Sequence, residues 1–353
     1  MGGSILIGGP PDEPTQPALS GGPPDVNNRQ TVAWSGRHPL LLFSGRRFIA
    51  GVVLFFIASA FVFFATNILP GDAASAILGR QATPESLAAL RTDLGLNRPI
   101  REQYFDWISG FIRGDFGTSL INGQPVVSLI DYRLVNTLVL ALITMAFLVP
   151  LALLIGTFAG VRAGRRADQA LSATTLALIA VPEFVVATVL ILVFAVWYPV
   201  LPPLSLVPPG DNPLSYPSAL VLPVATLLLV GTPWMARYVR AGVAESITSE
   251  YTEMARLNGL PESRVVLRHV LPNALAPSVQ AFALTFLWLI GGILVVETMF
   301  AYPGIGAGLV QAITSRDLPL IQCMAMFLAA AYIVIIFVAD LLTLLLIPRL
   351  RGS

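Results

Sequence analysis

Six apolar runs dominate the pattern of the chain, near 46–68, 134–160, 171–198, 218–237, 277–299 and 320–347, with polar and proline-rich stretches between them. Each is long enough to cross about 30 Å of hydrocarbon as a helix, which takes roughly 20 residues. The pattern predicts an all-α polytopic membrane protein with six transmembrane helices. Arg46 and Arg47 precede the first run, as basic residues precede a secretory signal core, and Ala74-Ser75-Ala76 resembles a cleavage site. The apolar part from Phe48 to Thr66 is longer than such a core and follows a long polar leader, so it reads as an uncleaved span.

The arginines orient the spans. The short loop 161–170 holds Arg162, Arg165 and Arg166, the segment 237–275 holds Arg237, Arg240, Arg256, Arg264 and Arg268, and the tail holds Arg349 and Arg351. On the other side, loop 199–217 has seven prolines and no basic residue, and loop 300–319 has Arg316 alone. The positive-inside rule then puts both termini in the cytoplasm and 69–133 outside. Residues 1–45 form a cytoplasmic tail, rich in Pro and Gly and without apolar periodicity, which predicts disorder. Within 69–133, Thr83-Pro84-Glu85-Ser86 signals a helix start running to Asp93, and Gly95 stops it. A second stretch, 101–111, places Tyr104, Trp107, Ile108 and Phe111 at helical spacing. That face either forms the core of a small external subdomain, the preferred reading, or rests at the membrane surface.

Composition sharpens the class. Hydrophobic residues make up 55%, charged residues 12%, and mean hydropathy is +0.76; soluble domains carry about 25% charged residues. All 21 basic residues are arginine, so a phosphate loop that needs lysine is excluded. A net charge of +1 suggests no nucleic-acid partner. Cys323 is the lone cysteine, and His38 and His269 are far apart without ligand-type companions, which speaks against a metal site.

One charged insert interrupts the apolar pattern between the fourth and fifth spans. Tyr251, Met254, Ala255 and Asn258 share one face of a short helix, and Gly259 suits the left-handed position that ends it. Pro261 then opens a second helix with Val266, Leu267, Val270 and Leu271 on one side, which Pro272 ends. A pair this short needs a docking surface; lying on the lipid is the alternative.

The spacing Glu253-Met254-Ala255, three residues, Gly259, nine residues, His269-Val270-Leu271-Pro272 resembles the EAA loop of ABC importer permeases. Met254 and His269 depart from the alanine and isoleucine of that pattern. The resemblance runs from about Arg46 to Arg351 and is to permeases of dipeptide, oligopeptide and nickel importers. Leu69-Pro70-Gly71-Asp72, Leu94-Gly95-Leu96-Asn97-Arg98-Pro99 with Gln103-Tyr104 and Trp107, and Gly114-Asp115-Phe116-Gly117-Thr118-Ser119 are similar to its external motifs. Val296-Glu297-Thr298-Met299-Phe300 with Pro303-Gly304-Ile305-Gly306 is similar to its hallmark turn, while Ile347 stands where the family commonly has Asp.

What the resemblance implies is a type I ABC importer permease fold forming half of a translocation pathway in the bacterial inner membrane. Glu253, Met254, Ala255, Arg256, Gly259, Leu271 and Pro272 would couple it to an ATPase. The chain itself would be non-catalytic, with ATP and Mg on two partner ATP-binding subunits, beside a second permease chain and an external solute-binding protein. Short peptides are the expected cargo, with nickel complexes and glutathione-like or opine-like solutes as alternatives.

Polar groups inside the spans are costly and ask for a role. Counted at about 1.5 Å per residue along a straight helix from Leu171, Glu183 falls near the midplane. It either lines the pathway or serves the backbone freed by Pro182. Glu297 more readily braces the hallmark turn than meets cargo, and Asn136 and Gln280 are weaker pathway candidates. Asp340 in the last span suggests an arginine partner or helix packing. An intramembrane protease lacks its paired aspartates or Ser/His pair here, and a channel lacks a filter sequence. No inverted repeat of a secondary transporter is detected.

Overall fold

The computed structural model describes residues 39–68, 83–93, 95, 97–275 and 278–346, with 74 and 78 as single positions. The tail up to residue 38 lies outside the described residues, and α1 (Pro39–Ile68) begins ahead of the expected span. α2 (Pro84–Asp93), α3 (Ile100–Arg113), α4 (Val126–Val161), α5 (Arg166–Ile179) and α6 (Glu183–Ile191) follow, the last extended by a π-helical stretch Leu192–Trp197. α7 (Pro217–Ser246) leads into α8 (Glu250–Leu257), α9 (Glu262–Val265), a π turn Val266–Val270 and α10 (Leu271–Leu275). α11 (Ser278–Met299), α12 (Ile305–Ser315) and α13 (Leu318–Leu346) complete the described chain. A bridge between Thr118 and Pro125 is the one piece of β pairing among the described residues, so the fold is all-helical.

Among the described residues, four helical stretches are long and apolar enough to cross a membrane: Ser44–Ile68, Val126–Val161, Pro217–Ser246 and Leu318–Leu341. The expected third span is not a straight rod. Arg166–Ile179 and Glu183–Trp197 form a broken pair bent by 95°. Pro182 withholds an N–H and disfavours helix for the residue before it, so depth counted along a straight axis does not apply to Glu183. The fifth run forms α11, of which Leu284–Met299 is the apolar part among the described residues.

α7 is the axis of the bundle, 72% buried in its apolar window against 28% or less for the other three stretches. Its closest neighbour is α4, and the reason is glycine. A Cβ on Gly156 would lie 2.6 Å from the Ala236 carbonyl and from Val239, and one on Gly160 would lie 2.7 Å from Val243. Two glycines four apart let the backbones touch, the small-residue packing that membrane helices use where no hydrophobic drive separates lipid from protein. Toward the other end, Leu140, Leu222, Leu227, Leu289, Ile293 and Val296 join α4, α7 and α11 in one core. Pro223 and Pro233 sit inside α7 and are buried by these neighbours.

Thr83 and Ser86 cap α2 reciprocally, side chain to backbone N–H in both directions at 3.0 and 3.2 Å. The aromatic face of α3 packs on α1. Phe63 of α1 meets Tyr104 and Trp107 at 5.5 Å between ring centroids, and Ser59 bonds the Tyr104 hydroxyl at 2.8 Å. Phe111 continues onto Phe327 of α13. Asp340 has the expected arginine partner: Arg47 of α1, at 3.0 Å.

Replacing Gly160 by Leu is expected to destabilise the purified protein by about 1–3 kcal/mol through overpacking, seen as a lower Tm in detergent. Gly45→Ala, in open space, should leave Tm unchanged.

Candidate functional site

The residues of interest fall at two places, an insert at one end of α7 and α11 and a turn at the other end of α11. The insert is a docked hairpin. Ser249 and Thr252 tie its start to α7, both hydroxyls donating to the Ser246 carbonyl at 2.6 and 2.7 Å. Two helical turns later Gly259 takes φ 75°. Its N–H reaches the Arg256 carbonyl and the Leu260 N–H reaches the Ala255 carbonyl, the paired closure of a Schellman motif. No neighbour lies within 4 Å of the missing Cβ, so glycine is needed there for its dihedral and not for space.

Arg256 fastens the two halves. Its guanidinium holds both oxygens of Glu262, at 3.0 and 2.7 Å, and the Ile247 carbonyl at 3.3 Å. The arginine beside it holds the Glu262 carboxyl below the usual carboxylate range. Behind, Ala255, Val265, Val270 and Ala274 are buried against Val239 and Val243 of α7. Gly242 of α7 admits the Ala274 carbonyl, which would lie 2.8 Å from a Cβ there.

The face expected from 3.6-residue spacing is revised. Ala255 turns inward with Thr252, while Tyr251, Met254 and Leu257 are exposed, at 43%, 59% and 76%. In the second half Val265 and Val270, five apart, share the buried side, and Leu267 points out. Five residues is the π-turn repeat, which periodicity at 3.6 misses. Pro272 does not end the helix. It follows the π turn and is the second residue of α10, and Leu271 is partly buried against the core. Glu253, Arg264 and Arg268 are exposed.

An ion pair that the sequence reading passed over fixes the base of α7. Arg240 grips Asp168 of α5 through both carboxyl oxygens at 2.5 and 2.7 Å, and the Gly164 N–H adds a bond at 2.8 Å. Asp168 is buried, so the pair ties loop 162–165 to the helix that carries the insert. The signal that could have found it is that Asp168 is the one acid in 161–170, beside three arginines.

At the other end, the carboxyl of Glu297 caps α12. It accepts the N–H groups of Gly306 at 2.7 Å and Ala307 at 3.1 Å, and the Thr137 hydroxyl at 2.5 Å. These are orphan donors of a helix start. Asn136 bonds the Pro303 carbonyl at 2.9 Å and receives the Tyr302 hydroxyl on its own carbonyl at 2.9 Å. A Cβ on Gly304 would lie 1.9 Å from Glu297 Oε1, and one on Gly306 2.6 Å from the Leu294 backbone. The sequence Pro303-Gly304-Ile305-Gly306 is thus the shape that a carboxyl under a turn requires. Asp317 similarly receives the Ser119 hydroxyl and the Leu120 N–H, seating the Gly114–Ser119 motif on the joint between α12 and α13.

Glu297 and Asn136 therefore converge on this turn. Glu183 lies apart, half-buried at the start of α6. Gln280 is in α11, but its side chain lies outside the described residues. Among the described residues no three His, Cys, Asp or Glu side chains lie close enough to hold a metal.

Comparison with known proteins covers both ends of this description. Residues 152–352 match the family described as binding-protein-dependent transport system inner membrane component, and 40–141 match its N-terminal companion. The chain is 33% identical over 309 residues to a probable peptide ABC transporter permease protein of Sinorhizobium fredii, covering 87% of the chain and 98% of the relative. It is also 33% identical over 306 residues to the glutathione transport system permease protein of Escherichia coli (strain K12), covering 87% and 97%.

Two outcomes follow from the geometry. Gly304→Ala should destabilise the protein by about 3 kcal/mol or more, because carboxyl and methyl claim one volume; thermal unfolding in detergent reads this. Glu262→Gln should speed amide exchange across 250–262. In the unsubstituted chain the same acceleration should come only in acid: a depressed carboxyl contributes above its ordinary pKa and loses that contribution as pH falls through the lowered value. The side chain is over half exposed, so the effect should shrink in high salt.

Proposed function

Because the chain belongs to the family of binding-protein-dependent transport system inner membrane components, we propose that it is the permease subunit of an ATP-driven importer of short peptides. It is a multi-pass helical membrane protein. In this reading six spans cross the bilayer, α5 with α6 and α11 supplying the third and fifth, with both termini in the cytoplasm. A second permease chain completes the pathway, an external solute-binding protein delivers cargo, and two ATPase subunits bind ATP and Mg. The names of the peptide and glutathione permeases support the cargo class.

The observation that carries the reading is the insert. α8 presents an exposed row, Tyr251, Met254 and Leu257, flanked by Glu250 and Glu253, while its opposite side is locked to α7 through Thr252 and Ala255. An apolar row with acidic flanks is what a protein cleft would grip, and a helix bolted from behind transmits the grip. When ATP draws the two ATPase subunits together, α8 moves and α7 moves with it. Arg256 and Gly259 keep the hairpin rigid; Leu271 and Pro272 carry it into α11. Asn136 and Glu297 hold the turn at the opposite end, which leaves Glu183 as the acid free to meet cargo.

Gly259→Arg, which strains a left-handed position and thrusts a side chain from the hairpin, is expected to lose the ATPase subunits on co-purification. A Met254→Cys variant should crosslink to an ATPase chain. Met254→Cys labelling freely from the aqueous side, with no crosslinked product in the assembled complex, would sink the proposal.

A further inference from the structure

We infer that the chain carries a transit subsite for a protonated amine, the free amino terminus of a short peptide, built by Glu183 with Trp234, Tyr238 and Trp288; this rests on the permease reading above. Glu183 opens α6 directly after Pro182 and is half-buried. No bond to its carboxyl is found among the described residues. Opposite it, Gly292 of α11 is bare. A methyl group there would lie 3.5 Å from Glu183 Oε1 and 3.7 Å from Trp288 Cη2. The same indole lies 3.3 Å from the corresponding position of Gly231 on α7. Trp288 then forms one wall of a cavity of about 170 Å3 with Trp234, Tyr238, Leu284 and Thr285.

The order along the helices is regular. On α11, Gly292, Trp288 and Leu284 follow one another a turn apart toward the insert, and on α7 so do Gly231, Trp234 and Tyr238. Three aromatic side chains thus line the cavity along one stripe, and the Glu183 carboxyl meets the stripe at Gly292, at its outer end. Trp234 and Tyr238 are 44% and 48% exposed, so the stripe is open to a guest.

The chemistry selects the guest. A carboxyl without a partner in an apolar wall is costly and is relieved by a cation. Aromatic faces attract an ammonium within about 6 Å of the ring centroid. A divalent metal needs several oxygen or nitrogen ligands, and a single carboxyl among indoles and a phenol offers too few. An ammonium on a short peptide fits: it is held first by Glu183, then handed to faces that bind it without a second charge. None of the residues that line the cavity is acidic, so the hold weakens toward release.

The test uses the full transporter in liposomes with its binding protein, and alanyl-alanine and glutathione as probes, reading molecules imported per ATP hydrolysed. Glu183→Gln is expected to lower that ratio about ten-fold, the loss of one charge-assisted contact. Trp288→Leu should lower it and Trp288→Phe restore most of it, while Gly291→Ala on the same helix, in open space, keeps it. A variant that merely folds poorly lowers import and hydrolysis together and leaves the ratio intact. An unchanged ratio in Glu183→Gln alongside active wild type overturns the subsite alone. Import of neither probe by wild type overturns the peptide-permease reading and the subsite with it.

Discussion

The backbone contact between α4 and α7 is the constraint on which the rest of the structure depends. Gly156 and Gly160 remove the side chains that would hold the two helices apart, and Val239 and Val243 fill the space they leave. Widen that contact and the hairpin loses its floor, because the same two valines receive Ala255, Val265, Val270 and Ala274. A short helix pair has little stability in isolation; here its order is borrowed from α7. Arg240 and Asp168 reinforce the base with a doubly bonded ion pair whose carboxylate is buried, so removing the arginine would leave a buried charge uncompensated.

α7 and α11 also link the hairpin to the turn at 300–306. Their shared core of Leu227, Leu289, Ile293 and Val296 runs into Phe300 and Tyr302, and Glu297 stitches the turn to α4 through Thr137. Displacement at the hairpin is therefore carried by close-packed side chains, which resist compression, and not by a chain of loose loops. The bend between α5 and α6 sits beside this rigid body and brings Glu183 to its surface at Gly292.

Much of this was legible in the sequence, and the misses have physical causes. The left-handed Gly259 and the Thr83 cap follow from local chemistry, and both occur; that Asp340 would draw an arginine was legible, but not that the arginine would be Arg47. Pro182 was legible as an interruption of the third run, but not the 95° through which the chain turns there, since composition records a break and not its angle. The aromatic face of α3 was visible as periodicity, yet periodicity names no partner, and the partner is α1. Arg240 with Asp168 escaped because the residues are far apart in the chain and each looks like ordinary loop or helix-end charge. Asn136 and Glu297 stood out as polar in apolar surroundings, but only three dimensions show that both serve one turn.

The π turn before Pro272 has a consequence for how the chain tolerates change. One residue more or fewer between Val265 and Val270 would rotate everything beyond it by about 100° about the helix axis. Leu271, Ala274 and the start of α11 would then face new directions. Length at this point acts as an angular setting, so a single insertion or deletion would re-aim the span that follows while leaving every helix intact.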